Sequence, residues 1–365
     1  MSLSIGIVGL PNVGKSTLFN ALLKKQIALS ANYPFATIEP NVGVVEVPDE
    51  RLPVLAKLVN TTTIKPALVE FTDIAGLIKG ASQGEGLGNK FLSHIRETDA
   101  ICHVLRAFSD ENVIREGSVD PAADLDTIRT ELQLADLETI DKQKQPKGIK
   151  DKELLSRWEI VQQFKVQLEA GHSIFQNTLS DTQRQVAREL NLLTSKPEIF
   201  ALNVDEHELS RSNEIKREYA KLLSGLGQQV EEQQLVVISA QIESELASLG
   251  QEDQAQYLQD LGIEQSGLER LAQVAYRTLD LQSFLTAGEL EVKAWTIKRG
   301  TNAVEAAGVI HTDFMQKFIK AKVISFAEFV EYGGWAKAKE AGKVRLEGRD
   351  YIMQPDDIVE FMIGA

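Results

Sequence analysis

At 365 residues the chain is long enough for two or three domains with real cores, and its composition is that of an ordinary globular protein. A formal net charge of −14 argues against non-specific coating of nucleic acid, so no DNA partner is expected, although a local basic patch could still meet RNA. No apolar run reaches the ~18 residues of a membrane span, and the single cysteine, Cys102, excludes an internal disulfide and suits a reducing compartment. With no basic-plus-apolar leader before the first strand pattern, a cytoplasmic protein without a membrane partner is expected.

Ile5 to Val8 is a short apolar run typical of a buried parallel strand, and Ser16 to Leu23 reads as a helix. Between them lies Gly9-Leu10-Pro11-Asn12-Val13-Gly14-Lys15-Ser16-Thr17, which fits the phosphate-loop pattern. Glycines at both ends let the backbone wrap a phosphate at the helix's positive end. Lys15 then reaches the terminal phosphates and the Ser16 hydroxyl joins a Mg²⁺ shell. The loop 30–41 carries Pro34 and Pro40 before a strand at Val42 to Val47, and Thr37 is its candidate Mg²⁺ ligand.

Ala67 to Thr72 runs as a strand into Asp73-Ile74-Ala75-Gly76. An Asp there can hold Mg²⁺ through water, and the Gly76 N–H can sense the terminal phosphate. Position 77, where many GTPases place a water-orienting Gln, is Leu77, so any hydrolysis must be organised otherwise. Residues 80–89 carry four glycines and read as a segment that a ligand would order. A helix (Lys90 to Glu97) and a buried-type strand (Ala100 to Arg106) follow.

From Asp124 the pattern becomes helical. Leu125, Ile128, Leu132 and Ala135 recur at helical spacing, as do Leu154, Trp158, Val161, Phe164 and Leu168. The basic stretch Asp141 to Lys150 breaks them with Pro146 and Gly148, which reads as an antiparallel hairpin. Its lysines are either an RNA-facing patch or, more commonly for such a run, a solvated tip.

Strand patterns return at Glu198 to Glu206 and Gln234 to Ile238. The first ends in Asn203-Val204-Asp205-Glu206, where many GTPases have Asn-Lys-x-Asp to clamp guanine. Glu206 is one methylene longer than that Asp, which puts the clamp in doubt. Ser239-Ala240-Gln241 resembles the loop that closes over the base. The segment from Ser283 reads as a separable α+β module: strands at 290–297, 343–346, 351–353 and 357–362 around one helix, Ala303 to Gly308. The five histidines show no metal-ligand spacing.

Together the phosphate loop, Tyr33-Pro34-Phe35-Ala36-Thr37-Ile38-Glu39-Pro40-Asn41, Asp73-Ile74-Ala75-Gly76-Leu77 and Asn203-Val204-Asp205-Glu206 resemble the YchF/Obg-like ATPase family. Ala306 to Phe314 and Gly348 to Ile352 look like that family's C-terminal TGS domain, a β-grasp module. The resemblance implies an α/β P-loop NTPase with a doubly wound, mainly parallel sheet (1–125 and 197–282), an inserted antiparallel helical hairpin (126–196) and a TGS domain (283–365). It implies ATP preferred over GTP, and association of a monomer with the ribosome (large subunit or whole) and its rRNA. Carried over by position, Asn12, Val13, Gly14, Lys15, Ser16 and Thr17 bind the phosphates, and Ser16 and Thr37 hold Mg²⁺ with Asp73 through water. Val204 addresses the base through its backbone, flanked by Asn203 and Glu206, while Lys15, Thr37 and Gly76 carry the catalytic roles. Asn12 could also help to seat a K⁺. Members often carry His where this chain has Arg115, which puts the way it hydrolyses ATP in question. A GTPase of ribosome assembly and a non-catalytic, ATP-regulated adaptor are the alternative readings.

Overall fold

A computed structural model describes residues 4–30, 41–74, 86–108, 120–146, 151–174, 179–225 and 230–364. By contact the chain divides into two units, Met1–Val45 with Glu70–Val274, and Glu46–Val69 with Ala275–Ala365.

The first unit opens with β1 (Ser4–Val8), α1 (Lys15–Ser30) and β2 (Val42–Val47). The chain then leaves it through α2 (Arg51–Leu58) and β3 (Ile64–Lys65) and returns in β4 (Ala67–Asp73). It continues with α3 (Gly86–Glu97), β5 (Ala100–Arg106), α4 (Pro121–Asp141), α5 (Lys152–Glu169) and α6 (Asp181–Glu189). Next come β6 (Glu198–Asn203), α7 (Ser212–Ser224), β7 (Leu235–Ile238), α8 (Ala240–Leu246), α9 (Gln251–Asp260) and α10 (Gly267–Thr278). The sheet order is β2-β4-β1-β5-β6-β7, with β4, β1, β5, β6 and β7 paired in parallel.

β5, β6 and β7 are buried at every position, as expected for parallel strands covered on both faces. The register aligns Leu105 with Leu202 and Leu202 with Val237, and this face packs on Ile215 and Leu223 of α7. Ile101, on the same side of β5, meets Phe91 and Ile95 of α3 and Ile128 and Leu132 of α4. On the opposite face α10 passes Ile238 so closely that a Cβ on Gly267 would collide with it. The sheet is therefore doubly wound.

Among the described residues the insertion holds three helices, one more than the hairpin expected. Asp120 caps α4 by accepting from Ala122 and Ala123 N–H ahead of Pro121. Lys165 pairs with Asp141, and Gln133 reaches Gly171 and Ser173, so α4 and α5 run antiparallel. α6, opened by a Ser180–Gln183 capping box, returns along α5 through Gln163–Gln183 and Arg157–Glu189 contacts.

Buried charge roots this insertion on the sheet. Glu198 meets Arg129 Nη2 at 2.7 Å and His103 Nε2 at 3.0 Å, and both partners lie against Phe200. Burial alone would raise the Glu198 carboxyl, but the Arg129 charge and the His103 hydrogen bond outweigh it and bring it to about 2. Asp136 accepts from Leu193 N, Thr194 N and Thr194 Oγ1, yet burial pushes its carboxyl up to about 6.

The second unit gathers β8 (Leu281–Ala287), β9 (Val292–Lys298), α11 (Ala303–Ile310), α12 (Thr312–Lys317), β10 (Phe318–Ser325), α13 (Phe326–Tyr332), α14 (Trp335–Glu340), β11 (Arg345–Glu347) and β12 (Asp357–Ile363). Its sheet runs β11-β10-β12-β8-β9-β3, with β12 parallel to β8 and β3 parallel to β9. The alanines Ala303, Ala306 and Ala307 let α11 settle into a core of Phe284, Ile297, Phe318 and Val359.

Several expectations change here. Residues 46–69 join this unit instead of the nucleotide domain, because β3 extends its sheet and Arg51 bonds Asp49 and Pro355 O. The module has four helices around its strands, not one. β10 had no expected counterpart, and the strand expected at 351–353 is only a bridge between Ile352 and Asn302. α3 starts at Gly86 instead of Lys90, so the end of the glycine-rich stretch is helical. Thr37, Gly76, Leu77, Arg115 and residues 80–85 lie outside the described residues.

Candidate functional site

Parallel pairing aligns Ile7 with Asp73 and Val8 with His103, so β1 delivers the phosphate loop between the ends of β4 and β5. The loop needs its glycines. A Cβ on Gly9 would stand 3.0 Å from Val104 O and 2.9 Å from Val13 Cγ2. Asn12 (φ 64°) and Gly14 (φ 91°) take left-handed conformations, and a Cβ on Gly14 would overlap Asn203 Nδ2. α1 begins at Lys15, so its first-turn amides have no intrahelical partners and carry the positive end of the helix dipole. Val13 is buried at 1% exposure, so only its backbone can serve a phosphate, whereas Ser16 and Thr17 are exposed.

Lys15 Nζ lies 2.5 Å from Asp73 Oδ1 and donates to Ile74 O at 3.0 Å. The sequence assigned these groups to different tasks, phosphate and Mg²⁺, and the fold joins them.

On the other side of the cleft Asn203 is 5% exposed and spends its amide on the protein itself. Its Nδ2 donates to Val13 O and its Oδ1 accepts from Ala240 N, each at 2.9 Å. It is thus a strut between the phosphate loop and the start of α8 more than a free donor for a base. Val204 buries its side chain in the core, and its N–H donates to Ile238 O at 2.9 Å. That leaves its carbonyl to address a base. Glu206 is exposed and opens a 3₁₀ turn, Glu206–Arg211.

The sequence reading missed Phe108. Buried Arg106 at the end of β5 sits with its guanidinium 4.5 Å from the Phe108 ring and donates to Phe108 O at 3.3 Å. Phe108 lines the cleft with the phosphate loop, residues 203–206 and residues 239–241. An aromatic two residues past a strand that ends beside the loop was the available signal. The cleft holds about 680 Å³, within the usual range for small-molecule sites.

A glycine-bounded loop closing on the first turn of a helix, beside an Asp at the end of the neighbouring parallel strand, defines a P-loop nucleotide-binding protein. The family model described as "50S ribosome-binding GTPase" matches residues 4–149, and the YchF GTPase C-terminal model, described as "Protein of unknown function (DUF933)", matches 281–364. The chain is similar to two proteins named "Ribosome-binding ATPase YchF", from Bacillus subtilis at 48% identity and Escherichia coli O157:H7 at 45%, each over the full length of both chains. It is also similar to a solved structure, that of the Schizosaccharomyces pombe YchF GTPase, at 35% identity and a TM-score of 0.85, covering 99% of this chain and 98% of that one. The chain belongs to the YchF family.

Proposed function

We propose that this protein is a ribosome-associated, Mg²⁺-dependent ATPase that binds ATP in preference to GTP and hydrolyses it slowly, as a nucleotide-controlled switch in translation. The observation that carries this is the phosphate loop braced by Asn203, with Lys15 and Asp73 at its head. Full-length relatives named ribosome-binding ATPases supply the ribosome part of the reading.

In this reading Lys15 and the loop N–H groups from Asn12 to Thr17 take up the phosphate charge. The cation donors suit Mg²⁺: the Ser16 hydroxyl as a direct ligand and the Asp73 carboxylate acting through water are hard oxygen donors, few enough to leave room for waters and phosphate. Mg²⁺ held by these residues would supply positive charge against the terminal phosphates. Thr37 completes that shell, and Gly76 reports the γ-phosphate. With Leu77 where a Gln would orient water, intrinsic turnover falls well below the ~1–100 s⁻¹ of kinases. With Arg115 where other members often carry His, the chain either uses Arg115 differently or hydrolyses more slowly, and Asn12 helps to seat a K⁺; equal rates in K⁺ and Na⁺ buffers would refute the latter. Residues 283–365 serve as the TGS module, and they or the basic tip 141–150 meet rRNA. The protein works as a monomer in the cytoplasm.

The Asn-x-x-Glu sequence favours adenine over guanine. A GTPase reading is favoured instead by the "50S ribosome-binding GTPase" match and by the solved relative, which is named a GTPase. Calorimetry with ATP and GTP separates them, tighter GTP binding overturning the choice. Single-turnover hydrolysis with and without ribosomes tests the rest. Product formation stimulated by ribosomes is expected, and no product over hours in either condition favours an adaptor.

A further inference from the structure

Lys15 and Asp73 satisfy each other, at 2.5 Å, with side chains only 11% and 25% exposed. Each is also required elsewhere in the nucleotide reading. We infer that this ion pair competes with nucleotide: Lys15 must leave Asp73 to meet a triphosphate, so nucleotide arriving without a divalent cation strands the Asp73 carboxylate. The inference rests on the nucleotide reading of the site and adds to it the origin of its cation dependence.

The geometry decides which partner moves. Asp73 N donates to Asn41 O at 2.9 Å, and Ile74 N donates to Ile7 O at 3.2 Å, so both flanking strands fix this backbone. The Ile74 side chain is fully buried against Gly6, where a Cβ would collide with it. Lys15, by contrast, reaches Asp73 on a flexible four-carbon stem. The lysine swings and the aspartate stays.

A three-quarters-buried carboxylate that loses its counter-charge is strongly disfavoured, and a triphosphate nearby adds like-charge repulsion. A divalent cation at Asp73 relieves both. Nucleotide and cation therefore strengthen each other's binding through Lys15, by the same factor whichever binds first. If the pair were only a strut shaping the loop, removing Asp73 would weaken nucleotide binding in every condition.

The test is titration of the full-length chain with a fluorescent ATP analogue, in Mg²⁺ and in EDTA. In EDTA, Asp73→Asn should bind about tenfold tighter than wild type, within the usual ~5–150-fold range of such couplings. The gain conferred by Mg²⁺ should shrink by at least that factor. In a Lys15→Ala background the EDTA gain should shrink to the smaller part owed to like-charge repulsion, because the freed ammonium is the main source of the rest. Equal or weaker binding of Asp73→Asn in EDTA overturns the inference, as does a gain that persists undiminished without Lys15. Wild type that binds no analogue even in Mg²⁺ sinks the nucleotide reading itself, a separate outcome. Asp73→Ala provides the same comparison if circular dichroism shows the Asn variant unfolded.

Discussion

Removing the Asn203 side chain tests how the phosphate loop is held. In Asn203→Ala, Val13 O and Ala240 N lose bonds of 2.9 Å inside the protein. At about 1–3 kcal/mol for each of the two buried polar groups left unpaired, local stability should fall by about 2–6 kcal/mol. Gly14→Ala attacks the same strut from the other side. Its φ of 91° strains an alanine by about 1–3 kcal/mol, and the new Cβ drives Asn203 Nδ2 away. Because both changes break one contact, the double variant should lose less than the sum, by about 1–3 kcal/mol. Native-state hydrogen exchange reads this in peptides spanning 9–18 and 235–246, with 351–364 in the second unit as a reference expected to stay unchanged. Effects additive within about 0.5 kcal/mol, or an unaffected 235–246 peptide in Asn203→Ala, would refute the strut.

Arg129→Met leaves Glu198 buried with His103 alone and should cost about 3–5 kcal/mol in urea unfolding. The Glu198 carboxyl lies at about 2 in the fold against 4.5 ordinarily, so its contribution is complete above pH 4.5 and is lost as pH falls through about 2. At ~1.4 kcal/mol per pH unit that is about 3 kcal/mol, and the variant should show a flatter stability profile over this acid range. Phe108→Ala should weaken binding of a fluorescent ATP analogue by about 1–3 kcal/mol if its ring stacks on the base; unchanged affinity means that it does not. Glu206→Asp should move the ATP-to-GTP preference towards GTP in calorimetry, and a preference that stays put removes Glu206 from base selection.

The phosphate loop and most strands of the first unit were legible because their signals are local. Gly9 to Thr17 carries its own backbone demands, and Ala100 to Arg106 is apolar apart from His103 and Arg106 because both of its faces are covered. The second unit was less legible. β10 alternates poorly, with Lys320 and Lys322 between buried Phe318, Ala321 and Val323 and a register shift near its start. β3 is two residues long and has no periodicity to read. Its place beside β9 follows from pairing with residues that the sequence holds far away.

By itself, then, the sequence determined the chemistry on offer: a glycine-bounded cradle, a lysine, a hydroxyl, a carboxylate and an altered base motif. Only the tertiary structure decided how these groups meet. Asn203 reaches Val13 across 190 residues and Lys15 reaches Asp73 across 58, by strand order and register that no local pattern encodes. Residue type and spacing set what a side chain can do, while its partner is set by which distant strands bury each other's apolar faces.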